Sequence, residues 1–314
     1  MSTTAPPRLR RTAAVATPDG ALLHATVEGP DDAPVTLVLV HGWTLAQAAW
    51  DDVAALLTPQ VADGRLRLVR YDQRGHGRSG WGTADVSVDR LGADLAAVLD
   101  QLAPSGPVVL AGHSMGGMTV MCLAAARPEL FGDRVLGVAL VSTSAGDLQR
   151  PPRTRAERVR QRLTPGALAL AALAGARVVE RLRRLVPPEH PRHRAVVRDL
   201  LYGADATDAM VRAGAEIVHA TTVRAFTAFL PALLEHDEHA ELAALTRVPV
   251  EVLVGDSDKL TPVRHTRRLA EALPGAHVQV VPRTGHMLPN ERPSLVTASI
   301  ARLLTDAAAS RAAA

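Results

Sequence analysis

"LAGHSMGGMTV", Leu110 to Val120, decides how the rest of the chain is read. Val108 to Ala111 form a short apolar run, and a helix-compatible stretch extends from Met115 to Arg127. The order strand, sharp turn, helix puts Ser114 at the apex, with Gly112 two residues before it and Gly116 two after. A turn this tight strains the serine backbone and brings the flanking positions into contact, so both must lack a side chain. The serine Oγ then stands exposed at a helix N-terminus, where backbone N–H groups can receive developing negative charge. The G-x-S-x-G pattern in this setting is a nucleophile elbow. It has chemical meaning only if a base and an orienting carboxylate stand elsewhere in the chain.

Short apolar runs on either side extend the pattern. "VTLVLVHG" (Val35 to Gly42), "RLRLVRYD" (Arg65 to Asp72), "VLGVALVS" (Val135 to Ser142), "VPVEVLVG" (Val248 to Gly255) and "HVQVVP" (His277 to Pro282) read as strands. Between them "AAWDDVAALL" (Ala48 to Leu57), "SVDRLGADLAAVLDQL" (Ser87 to Leu102, Ser87 as N-cap), Val263 to Leu273 and Pro293 to Leu304 have helical spacing. Strands alternating with helices predict an α/β fold, a mostly parallel central sheet with helices on both faces. From about Ala145 to Leu242 the rhythm becomes purely helical, which predicts a helical cap inserted into that fold. The expected organisation is a disordered tail over 1–20, a core over 21–145 and 241–308, a cap over 146–240 and a second tail over 309–314.

Sites in such sheets form beyond the carboxyl ends of the strands, and the chemistry-bearing residues of this chain collect there. His286, in "RTGHMLPNERP" after the last strand, is the candidate base. "GDSDKLTP", after the strand before it, offers two carboxylates. Asp256 directly follows the strand's closing glycine and is placed to cap the turn; Asp258, further out, has the reach to orient a histidine. The loop "HGWTL" supplies a second donor: Gly42 lets the backbone turn, so that the amide of Trp43 can point inward with that of Met115. "DQRGHGRS" reads as support for that loop, with Asp72 and Arg74 bracketing a glycine turn.

With 47% hydrophobic residues in 314, the chain can bury a sizeable core. Its single cysteine, Cys122, excludes an intramolecular disulfide framework and reads as a small buried hydrophobe on the inner face of the helix after Ser114. No H-E-x-x-H or paired C-x-x-C spacing occurs, so no metal is expected, nor is any organic cofactor. The first twenty residues have no apolar central run, and the longest apolar stretch, Leu163 to Ala176, is too short to span a bilayer. The chain therefore reads as soluble and cytoplasmic.

Arg150 to Asp199 holds thirteen arginines against four acidic residues, although the whole chain carries only +3. Two readings follow: a solvated face on a cap whose apolar side covers the pocket, or a lid in weak contact with anionic lipid or coenzyme A phosphates. With only 3% aromatic residues and none interleaved in the basic stretch, a nucleic-acid partner is not expected.

Taken together, "VHGW", "YDQRGHGRSG", "GHSMGGM", "GDSDKLTP" and "GHMLPNERP" resemble the α/β-hydrolase fold superfamily, in its serine esterase/lipase and cofactor-free perhydrolase-like branch. The resemblance covers about residues 20–145 and 240–308. It implies a catalytic triad of Ser114, Asp258 and His286 and an oxyanion hole at the amides of Trp43 and Met115, with Gly42, Gly112 and Gly116 in support. Haloalkane dehalogenases and epoxide hydrolases of this fold carry an aspartate nucleophile, and Ser114 argues against both. The expected activity is hydrolysis of a small carboxylic ester with a hydrophobic acyl or alcohol part. Thioesterase, perhydrolase, carbon–carbon hydrolase and acyltransferase readings stay open on the same triad, as does a non-catalytic ligand-binding protein.

Overall fold

All the loops singled out in the sequence hang from one eight-stranded sheet of order β1-β2-β4-β3-β5-β6-β7-β8. The computed structural model describes residues 10–148, 180–181 and 186–313. Strands β1 (Arg10–Ala16) and β2 (Leu22–Glu28) form an antiparallel hairpin, and β2 runs antiparallel to β4 (Arg67–Tyr71). From β4 onward, β3 (Thr36–Val40), β5 (Val108–His113), β6 (Val135–Val141), β7 (Val250–Gly255) and β8 (His277–Val281) are all parallel.

The central strands β3, β4, β5 and β7 are buried along their whole length; β3 accordingly reads as an unbroken apolar run, whereas β4 and β7 bury Arg67, Arg70 and Glu251 in ion pairs with Asp31, Glu28, Asp51 and Arg302. Alternate residues feed two cores. Val38, Val40, Leu110, Val138 and Val252 join one with Leu95 and Val98 of α2 (Val88–Leu102), Val120 and Met121 of α3 (Met115–Ala126) and Leu269 further along the chain. Leu37, Leu39, Val109, Ala139 and Leu253 join the other with Val53 and Leu57 of α1 (Asp51–Ala62) and with Val296 and Ile300 near the C-terminus. Helix α2 begins where its sequence says it should: the Ser87 hydroxyl accepts the Arg90 amide at 3.0 Å.

Between β6 and β7 stand α4 (Pro191–Leu201), α5 (Asp208–Ala220) and α6 (Val223–Glu235). An antiparallel bridge between Gly146 and Asp237 ties the point where this insertion leaves the core to the point where it returns. The apolar stretch Leu163–Ala176 and most of the arginine-rich segment lie outside the described residues, so the lid reading falls there too. After β7 come α7 (Val263–Ala272), the short α8 (Leu288–Glu291) and α9 (Pro293–Ala313). Among the described residues no single helix is long and apolar enough to cross a membrane.

Both expected tails need correction where the described residues reach them, at 10–20 and 309–313. Residues 10–16 are a strand, in register with β2 (Ala13 opposite Ala25, Val15 opposite Leu23), and Asp19 binds Arg74. The strand gives little hydrophobic signal because it is an edge: only Val15 is fully buried, and Arg10 and Arg11 face solvent. At the other end the helix runs on to Ala313, through the alanine-rich segment after Leu304. Ala307 is fully buried, and nothing in that composition stops a helix.

Candidate active site

Ser114 sits between β5 and α3 with φ 54° and ψ −121°, a conformation that a residue with a side chain rarely adopts. Its amide is fixed by the Val141 carbonyl at 2.9 Å. The flanking glycines are required by contact. A Cβ on Gly116 would lie 2.2 Å from the Val40 carbonyl oxygen, and one on Gly112 would lie 2.4 Å from the Gly116 carbonyl oxygen. Both obstacles are backbone and cannot swing aside. Gly116→Ala is therefore expected to cost about 3 kcal/mol or more in urea unfolding. Gly275→Ala, where a new Cβ meets nothing within 4 Å, is the control expected to stay near wild type.

Three further loops converge on the elbow. Gly42 follows β3 so closely that a Cβ there would stand 3.0 Å from the Ser114 Cβ. The loop that begins at Gly42 is held on both sides. The His41 ring accepts the Gln73 amide at 2.9 Å while the Gln73 side chain donates to the His41 carbonyl at 2.6 Å. Thr44, at φ 60°, donates its amide to His76 Nε2 at 3.3 Å and accepts the Thr221 hydroxyl from the helical insertion at 2.7 Å. The Met115 amide heads α3, where no intrahelical carbonyl faces it.

His286 is fixed through its neighbours. Its carbonyl accepts from His113 Nε2 at 2.8 Å, and the two rings lie 4.9 Å apart, which sets His286 beside the residue preceding Ser114. Its own amide and that of Met287 both donate to the Leu201 carbonyl, at 2.8 and 3.0 Å. Its Nδ1 meets Asp258 Oδ2 at 2.9 Å. Asp258 is buried and also accepts the amides of Leu260 and Thr261 and the Thr261 hydroxyl. Burial alone would raise this carboxyl; His286 and the Thr261 hydrogen bonds outweigh it and hold the acid at about 2. Asp256 is exposed and accepts the Ser257 hydroxyl at 2.8 Å. Of the two carboxylates, only Asp258 is brought to the histidine. Burial lowers His113 and His76, each to about 3, so both stay neutral.

Arg74 is fully buried with its guanidinium bonded to Asp94, Asp19 and the Trp81 carbonyl, which ties the β4 loop to α2 and to the turn after β1. Asp72 accepts the amides of Gln47 and Arg78. Neither bonds to Ser114 or His286, in keeping with a supporting part.

Some of the site was not picked out from sequence. Glu291 is a buried carboxylate that accepts the Gly203 amide at 2.8 Å and the Gly285 amide at 2.9 Å, clamping the His286 loop to the insertion. It stands inside "GHMLPNERP", yet nothing in its spacing says what it bonds. Above α3, Met115 and Met118 pack with Phe229 and Leu233 of α6, bordered by Trp43 and Trp81. Trp43 stacks on Phe226 at 4.6 Å, and Phe229 lies 5.1 Å from His76. Four of the chain's eight Phe, Trp and Tyr residues stand at this wall.

The model of the alpha/beta hydrolase family matches residues 37–299. The probable oxidoreductase EphD of Mycobacterium tuberculosis is 27% identical over 300 residues, covering 91% of this chain and 48% of that protein. The chain thus spans about half the length of that relative. Epoxide hydrolase A of the same organism is 30% identical, covering 91% of this chain and 95% of that protein. A thermophilic esterase from Thermogutta terrifontis superposes with a TM-score of 0.70 at 24% identity, covering 95% and 99% of the two chains.

Proposed function

Because the chain belongs to the alpha/beta hydrolase family, we propose that it cleaves carboxylic esters through a covalent acyl-serine. The observation that carries this reading is the buried Asp258–His286 pair held against the Ser114 elbow. Asp258 engages Nδ1 and so fixes the tautomer whose Nε2 accepts a proton. His286 takes the hydroxyl proton as Ser114 Oγ attacks the ester carbonyl. The tetrahedral oxyanion is met by the amides of Trp43 and Met115. Collapse expels the alcohol, which receives the proton from His286; water, activated by the same histidine, then releases the acid. Asp258 stabilises the imidazolium without taking its proton. The wall of Met118, Phe229, Leu233, Trp43 and Trp81 favours an apolar acyl or alcohol group.

One relative is named for opening epoxides, a reaction that the resemblance associates with an aspartate nucleophile; here that position is Ser114. A series of p-nitrophenyl esters against styrene oxide separates the two. Ester turnover is expected, with kcat/KM rising about fourfold per added methylene until the pocket is filled, and no epoxide opening above the blank. Epoxide opening without ester turnover would overturn the assignment.

A further inference from the structure

About two turns along α3 from Ser114, three donor atoms of different chemistry meet. Cys122 on α3 faces His236 at the end of α6 and Glu238 two residues later. The Sγ–Nδ1 separation is 3.9 Å, Sγ–Oε1 is 3.5 Å, and all three ligand atoms lie within 4.8 Å of one another. We infer that Cys122, His236 and Glu238 form a site for one zinc ion, which pins the returning end of the helical insertion to α3.

The two separations from sulfur fit. Tetrahedral zinc with Zn–S of about 2.3 Å and Zn–N or Zn–O of about 2.0–2.1 Å keeps its ligand atoms about 3.5 Å apart. The sulfur–oxygen distance already has that value, and the sulfur–nitrogen distance needs to close by a few tenths of an ångström. The mixture of thiolate, imidazole and carboxylate suits zinc rather than magnesium or calcium.

The surroundings favour an ion over a bare thiol–carboxylate contact. The charges acting on Cys122 and Glu238 are acidic throughout: Asp89 from α2, and Asp237 and Glu241 from the segment after α6. His236 is buried, its ring lies against the Ser144 backbone, and its Nδ1 makes a long contact of 3.9 Å to sulfur, which a metal ion would replace. A divalent cation offsets the carboxylates, takes the Nδ1 lone pair and binds the sulfur as thiolate. Asp89 is exposed at the rim beside Cys122, where its charge draws a cation in. The site lies where Glu238 N bonds the Ala145 carbonyl at 2.7 Å, beside the Gly146–Asp237 bridge, so the ion fastens the base of the insertion.

Cys122 is the only cysteine in the chain, so a thiolate-to-metal absorbance can arise from one atom alone. The full chain, without a histidine tag and stripped with a chelator, is titrated with Co²⁺. The expected result is a near-ultraviolet thiolate–cobalt band with visible tetrahedral bands, saturating at one ion per chain and bleached by Zn²⁺. Cys122→Ser should abolish the band. His236→Ala and Glu238→Gln, which keep the thiol, should weaken binding about tenfold or more. Ser114→Ala should leave the titration unchanged, which separates this site from the catalytic assignment. Zinc at a hundredfold excess over its dissociation constant should raise Tm by about 4 °C. Cobalt binding without a thiolate band, no binding, or binding undiminished in the His236 and Glu238 variants overturns the inference. Circular dichroism of those two variants keeps the test valid if Cys122→Ser does not fold.

Discussion

Ser114→Ala is expected to lower kcat/KM for p-nitrophenyl esters by about ten-thousandfold or more and to abolish labelling by a fluorophosphonate. The argument rests on what alanine removes and what it leaves. It removes the Oγ that must bond to the acyl carbon, and no other hydroxyl occupies the apex between β5 and α3. It leaves the elbow strained, because φ 54° and ψ −121° are as unfavourable for alanine as for serine. A second substitution separates the nucleophile from the turn. Ser114→Gly should be equally inactive yet more stable by about 1–2 kcal/mol, since glycine adopts that conformation without a Cβ penalty. A serine present only to make a tight turn would give the opposite pattern, with alanine retaining activity and labelling. Full labelling of Ser114→Ala would therefore place the nucleophile elsewhere.

How far such a site can be read from the chain depends on where its forces act. Strands β3 and β5 were legible because burial on both faces favours near-continuous apolar runs, as in "TLVLV" and "VVLAGH", and β4 because its arginines alternate with apolar residues. Strand β1 was missed for the converse reason. An edge strand buries one side chain in several, and Arg10 and Arg11 carry the signature of a solvated tail. Ser114, Asp258 and His286 could be proposed because each lies in the loop just past a strand's carboxyl end, and sheet topology brings those loops together. Glu291 could not, since its partners are the amides of Gly203 and Gly285, and a bond to backbone leaves no mark on residue type. Cys122 and His236 stand 114 residues apart, beyond any local spacing rule for metal ligands. The expectation of no metal rested on such spacing, and the cluster at the base of the insertion is invisible to it.

Asp258→Asn should cost about ten-thousandfold in kcat at neutral pH, whereas Asp256→Asn should change it by no more than about twofold. The carboxylates are two residues apart, yet their surroundings differ. Asp258 is buried and bonded to His286 Nδ1 and to two amides and a hydroxyl; Asp256 is exposed and accepts from Ser257. An asparagine at 258 keeps the shape but can turn an N–H toward Nδ1. The imidazole proton then moves to Nε2, the nitrogen that must be free to accept from Ser114. Stability supplies an independent readout with a definite sign. The Asp258 acid is held at about 2 against an ordinary 3.8, so its contribution is complete above 3.8 and is lost as pH falls through 2. It amounts to about 2 kcal/mol. Urea unfolding between pH 5 and pH 2, on the order of the range that linkage sets, should therefore show a drop in wild type that Asp258→Asn lacks and Asp256→Asn retains. Equal losses of activity in the two variants, or equal pH profiles, would remove Asp258 from the triad.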